Sequence, residues 1–409
     1  MSDKQPSSAN HSPNPSSTPS PEPKPMSQGQ ILLEITAISG EYPASNIHRL
    51  IPAPNYSKKL VASLVKDRML KLVNVGGLKG YRLDFKGKRK LLAENPSRFG
   101  SFLEGDTETN RSRADRTRRL RLHSMSEVSV MMHNAGVDFF QDTKPKIFPL
   151  NDSASPSQTV NEDSENRSST HRNNPQITIS TPYFYTSREQ KNQDNNKIRG
   201  SRAAGILLTP YRAYAIYNTG SAETMWSLSS EKVYNEVMVD ELSRKLLLHQ
   251  YKGDSVHGVM MGKDMEILEK YLNPTEKKVQ NLNFLDLTYE SFYYITNDNH
   301  GEFQLRVLCN KAKMNELKYQ FVTSQFAPVD TKFPVVHDAI NKDGNPVLFC
   351  FLLDIPRLIR FKGGLGFQNK TGVVLCLTHQ RDMLMRYLGN DAEVKSYNFD
   401  KTKEWLFPS

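Results

Sequence analysis

Between residues 30 and 95 the apolar positions recur first with helical and then with strand-like spacing. Ile31, Leu32, Ile35 and Ile38 fall on one face and predict a helix over Gln30–Ser39, ended by Gly40. Ile47, Leu50 and Ile51 predict a second, short helix over Ser45–Ile51, and Pro52 and Pro54 break the chain after it. Leu60, Val61, Leu64, Val65 and Met69 then form the apolar side of a third helix from Asn55, reaching residue 71 at its longest. Leu70–Val75, a turn at Gly76-Gly77 and Gly80–Asp84 read as a hairpin. Gly87–Asn95 predicts a trailing helix that stops near Pro96.

Further on, Met125, Val128, Met131 and Met132 continue an Arg-rich stretch from Arg111 as one long helix ending near Gly136. Strands follow at Ile177–Tyr185, Ala203–Thr209 and Tyr211–Tyr217, the last two joined as a hairpin around Pro210. Ser229–Tyr251 is helical through Val233, Val237, Leu242 and Leu246, and His257–Met261 is a strand. The last third predicts strands at Tyr289–Ile295 and Gln304–Leu308, a helix over Lys313–Phe321 and a buried strand over Pro346–Leu353. Gly363, Gly364 and Gly366 read as a turn, and Val373–Leu377, His379–Leu388 and Val394–Phe399 as strand, helix and strand.

These elements suggest a division into a Ser/Pro-rich disordered tail (1–28), a small helical and hairpin domain (29–97) and an Arg-rich connecting helix (98–137). A polar disordered insertion (151–175), an α/β core (176–272) and a C-terminal α/β region (273–409) complete it. The fold class is therefore α+β or α/β.

Charge narrows the partner. The net charge of +10 over 409 residues favours a polyanion, nucleic acid before an anionic membrane surface. No apolar run approaches the roughly 20 residues that cross a bilayer. The N-terminus lacks the apolar segment of a signal peptide, and a cytoplasmic protein is expected. Cys309, Cys350 and Cys376 are isolated in apolar segments and read as buried small hydrophobes.

Three short helices followed by a basic hairpin make a winged helix-turn-helix, in which the third helix enters the major groove. Its leading residues are Asn55, Tyr56, Ser57, Lys58 and Lys59, with Ser63 one turn on. Asn can pair bidentately with adenine, and Lys reaches guanine or phosphate. Lys79 and Arg82 on the hairpin would hold phosphates. Arg113, Arg116 and Arg119, at three-residue intervals on the long helix, would add more, since crowded like charges gain from a partner anion. The other reading of the basic face is a solvated surface or a protein-interaction module.

The order helix, strand, strand, strand, helix, strand from Arg113 onward is that of restriction-endonuclease-like cores. The winged helix, the run Arg119-Leu120-Arg121-Leu122-His123-Ser124-Met125-Ser126-Glu127 and the segment from Ala203 to Trp226 resemble the replication-relaxation family. These are proteins of conjugative and mobilisable elements related to relaxases of the mobilisation C class. The resemblance covers roughly residues 30 to 251. It implies an endonuclease-like fold and a DNA context in conjugation or plasmid mobilisation. Where the family has Pro-Asp-Gly this chain has Ala203-Ala204-Gly205, and where an acidic pair is expected it has Ile216-Tyr217-Asn218-Thr219-Gly220. Those residues cannot coordinate a metal, so no catalytic or metal residue is assigned and no cofactor is expected. The triplet Glu189-Gln190-Lys191, with Glu127 and Glu231, remains the acidic set open to a nuclease.

The sequence thus leads to a non-catalytic accessory protein of a mobile element that binds double-stranded DNA, with a relaxase or replication protein as a further partner. Its rivals are a metal-dependent relaxase or nickase, a winged-helix transcriptional repressor, and a protein-interaction scaffold.

Overall fold

The computed structural model describes residues 26–104, 109, 115–148, 177–191, 193–220, 227–246, 251, 256–273, 284–286, 288–320, 326–327 and 334–408. The tail 1–25, Arg111, Arg113 and the insertion 151–175 lie outside the described residues. Among the described residues the chain is a mixed α+β structure with fourteen α-helices and three β-sheets.

The first helix, α1 (Gln28–Ser39), starts where the Ser27 hydroxyl accepts the Gln30 N–H and stops at Gly40, whose φ of +84° suits glycine. Strand β1 (Tyr42–Pro43) and α2 (Ile47–Leu50) lead to α3 (Pro54–Lys66). The hairpin β2 (Leu70–Val75) and β3 (Leu78–Leu83) turns at Gly76 and Gly77, both with positive φ, as a tight two-residue hairpin turn requires. The three strands form one antiparallel sheet in the order β1-β3-β2. Helix α3 is shorter than its periodicity suggested. Arg68 takes a left-handed φ of +56°, the Met69 N–H turns back to the Leu64 carbonyl, and the strand begins at Leu70. Two helices follow, α4 (Phe85–Glu94) and α5 (Pro96–Leu103).

The long helix α6 (Arg116–Asn134) is capped by Asp115, whose carboxylate accepts the Thr117 N–H. It packs on α1, β1 and β3, and also on the second sheet. That sheet has the order β4 (Tyr183–Thr186), β5 (Gly205–Leu208), β6 (Ala213–Gly220), β7 (His257–Gly262) and β8 (Phe292–Thr296). The first three strands form an antiparallel meander, and β6, β7 and β8 run parallel. Between them lie the short α7 (Ser187–Gln190), α8 (Leu228–Lys245) and α9 (Met265–Leu272).

The C-terminal third corrects two expectations. Gln304–Leu308 is not a strand but the end of α10 (Asn299–Leu308), which Asp298 caps by accepting from His300 and Gly301 N–H. Phe303, Leu305 and Val307 imitate strand alternation, but Gln304 and Leu308 are buried too, because this helix is covered on several sides. The glycines at 363, 364 and 366 lie inside α12 (Ile355–Gln368), and Gly364 lets Val335 approach: a Cβ there would lie 3.2 Å from its Cγ1. Helix α11 (Lys311–Tyr319) precedes the third sheet, whose order is β12 (Ala392–Tyr397), β11 (Gly372–Leu377), β10 (Pro346–Phe349) and β9 (Ala339–Ile340). Helices α13 (Arg381–Leu388) and α14 (Phe399–Leu406) close the chain. All three cysteines are buried and free. No helix among the described residues is long and apolar enough to cross a membrane.

Candidate nucleic-acid interface

Helix α3 touches the rest of the protein along a narrow stripe. Ser57 and Val61 are buried, Leu60 and Leu64 half-buried, and Leu60 lies against Gly29 of α1. Asn55, Tyr56, Lys58, Lys59, Ala62, Ser63 and Lys66 are all exposed. No carboxylate pairs with Lys58, Lys59 or Lys66 among the described residues, and no side chain caps the helix N-terminus, which Pro54 opens. Ser57 is the exception among the contacts expected from α3: it is buried and its hydroxyl donates to the Pro54 carbonyl. The Ser63 hydroxyl donates to Asp67 at 3.1 Å while staying at the surface.

On the hairpin Lys71 and Lys79 are exposed, but Arg82 is buried. Residues 79 and 82 are an odd number apart, so their side chains leave opposite faces of the strand. Lys79 pairs with Asn74 near the hairpin tip, on the face that further along carries Leu83, whereas Arg82 shares its face with Gly80. There its guanidinium meets Glu41, with the Arg82 Nη2 2.7 Å from Oε2. Arg119 is drawn into the same place. It is wholly buried, contacts Glu41 through Nε and Nη2, and donates to the carbonyls of Val73, Val75 and Leu78. His123 completes the ring, its Nε2 2.8 Å from Glu41 Oε1. Burial pushes the Glu41 pKa up, but hydrogen bonds from His123, Arg119 and Arg82 outweigh it and hold the carboxyl at about 2.

Arg82 and Arg119 therefore cannot reach a phosphate; they tie the hairpin to α6. The sequence carried a signal for this in Glu41, the acid directly after the glycine that ends α1, while β2, β3 and α6 carry lysine or arginine. Arg116 remains exposed, its Cδ within 3.8 Å of a Cβ built on Gly76 at the hairpin tip.

A second cationic group was missed by sequence reasoning. Lys191 is half-buried, and Arg121, Arg199 and Arg202 around it are exposed without an ion-pair partner among the described residues. Burial lowers the Lys191 pKa, Glu231 opposes, and the three arginines lower it further. Each of the three arginines lies close enough to disfavour the charged form of Lys191.

The acidic residues are engaged separately. Glu189 pairs with Lys144 at 2.7 Å, both almost fully buried, and closes a capping box with Thr186. Lys144 also donates to the Phe139 and Phe184 carbonyls, and burial lowers its pKa. Glu231 accepts from the Ser201 and Tyr217 hydroxyls and the Arg202 N–H. Glu127 accepts from Asn46 and from Asn218, at the end of β6. Among the described residues no group of three or more His, Cys, Asp or Glu side chains is placed to hold a metal ion. Tyr214 and Tyr217 are buried on opposite faces of the sheet, their hydroxyls bound to the Leu308 carbonyl and to Glu231. No family model, curated protein or solved structure matches the chain.

Proposed function

We propose that the chain binds double-stranded DNA by laying α3 in the major groove, with the β2–β3 hairpin as a wing on the flanking backbone. The helix–strand–helix–helix–hairpin order with sheet order β1-β3-β2 fits a winged helix-turn-helix. The α6–β4–α7–β5–β6–α8–β7 order, in which α7 is a single turn, fits a degenerate endonuclease-like core. The observation that carries the reading is the outward face of α3. Asn55, Tyr56, Lys58, Lys59 and Ser63 stand exposed on a helix held only by its opposite stripe. Asn55 and Tyr56 are the base-edge contacts, and Lys58, Lys59, Lys79 and Arg116 hold phosphates. The chain acts without cutting DNA, as an accessory factor that marks a site for a relaxase or replication protein of a mobile element.

The test is fluorescence anisotropy on duplexes from the neighbouring DNA across a range of salt. Replacing Lys58, Lys59 and Lys79 together with Ala should reduce the slope of log K against log salt by about 0.9 for each phosphate left without its lysine. Wild-type affinity and slope in that triple variant would refute the reading. Nicking of supercoiled plasmid with Mg²⁺ or Mn²⁺, abolished by E127Q or E231Q, would favour the nuclease instead.

A further inference from the structure

A cavity of about 250 Å³ lies where the second sheet meets the third. That is about eight times the ~30 Å³ a water takes in the liquid, room for a small organic molecule. Three cations line it: Arg212 from the β5–β6 turn, Lys318 from α11 and Arg357 from the first turn of α12. Arg357 is neutralised, since its Nη2 donates to Asp338 Oδ1 at 2.8 Å. Asp354, the remaining carboxylate of the wall, is the residue before α12 and accepts the Phe292 N–H at 3.4 Å. Burial raises its pKa, and the neighbouring Arg357 opposes that rise.

Two cations are left with little to hold. The Arg212 guanidinium meets the hydroxyls of Tyr293, at a long 3.4 Å, and of Tyr214, and Lys318 has no hydrogen-bond or ion-pair partner among the described residues. Tyr293, Phe349 and Phe351 add aromatic surface to the lining. The cavity lies by the carboxyl end of β10, which runs parallel to β11, the end at which α/β sheets receive ligands, and by the amino ends of β6 and β8.

We propose that this cavity binds a small amphiphilic oxyanion, its phosphate or carboxylate held between Arg212 and Lys318 and its flat body against Tyr293, Phe349 and Phe351. The site is separate from α3 and independent of the DNA-binding reading.

Phenyl phosphate, benzoate and inorganic phosphate, titrated against the full chain by calorimetry and by thermal shift, test it. Saturable binding of phenyl phosphate or benzoate is expected, tighter than that of inorganic phosphate, and the tighter of the two ring compounds identifies the head group. K318Q and R212Q should each weaken it by about tenfold or more while leaving DNA affinity unchanged. Because Lys318 lies on an exposed stretch of α11, K318Q decides the matter if R212Q fails to fold. No saturable binding of any of the three compounds up to about 10 mM, or undiminished binding in K318Q, would overturn the proposal. So would loss of DNA affinity in K318Q, which would make the lysine a DNA contact.

Discussion

Arg119 Nη2 lies 2.5 Å from Glu41 Oε1, and neither side chain has any surface exposed to solvent. A lone buried carboxylate thus offsets two arginines, Arg82 from the hairpin and Arg119 from the long helix. Glu41→Gln leaves both guanidiniums buried without their anion. The expected loss of stability is about 3–5 kcal/mol, read as a lowered midpoint in urea. Equal midpoints for E41Q and wild type would show that the network contributes nothing net.

The same carboxylate sets an acid dependence. Its folded pKa of about 2 lies below the ordinary 4.5, so the unfolded chain binds the proton more readily. Its contribution is complete above pH 4.5 and is lost as the pH falls toward 2, about 3 kcal/mol in all. His257 acts in the same direction at higher pH. Burial, aided by Arg212, depresses it from 6.5 to about 4, so its share is present above 6.5 and lost as the pH falls through 4. Unfolding free energies measured from about pH 7 down to about pH 2 should decline in both windows, and E41Q should flatten only the lower one.

Gly80 is held open by this network. A Cβ there would sit 2.3 Å from Glu41 Oε1 and 2.8 Å from His123 Nε2. Gly80→Ala must displace a carboxylate fixed by three partners, and a destabilisation of about 1–3 kcal/mol is expected. Gly77→Ala is the control: its Cβ meets nothing within 4 Å, so any cost there comes from its positive φ alone. Should G80A unfold at the wild-type temperature, the close approach has no energetic weight.

Glu189→Gln separates a structural acid from a catalytic one. It strands the Lys144 ammonium among the carbonyls of Phe139 and Phe184, at a cost of about 3–5 kcal/mol. Lys144→Met with Glu189→Gln should recover part of that loss, because an uncharged pair needs no counterion. An E189Q protein of full stability would leave the carboxylate free for another role.

Local pattern made many elements readable. Leu60, Val61 and Leu64 mark α3, and Gly76-Gly77 between apolar runs marks the hairpin. Direction was harder to read. Lys79 and Arg82 look alike among the basic residues, yet strand alternation sends one outward and the other toward Glu41. Arg116 and Arg119 look equivalent at three-residue spacing, but each such step turns the helix face by about 60°, enough to take Arg119 inside. Gln304–Leu308 failed for a different reason. Periodicity is lost when a helix is covered on more than one side, and the cap at Asp298 was then the better signal.

The Glu41 ring bears on how this protein can be cut. A fragment of residues 29–97 would retain Glu41 and Arg82 but leave Arg119 and His123 behind. The carbonyls of Val73, Val75 and Leu78 would lose their guanidinium donor, and the inner side of the hairpin would face solvent. Such a piece would display every α3 lysine and still misjudge the wing. Dissecting this molecule calls for ends placed beyond Asn134 rather than before Arg116.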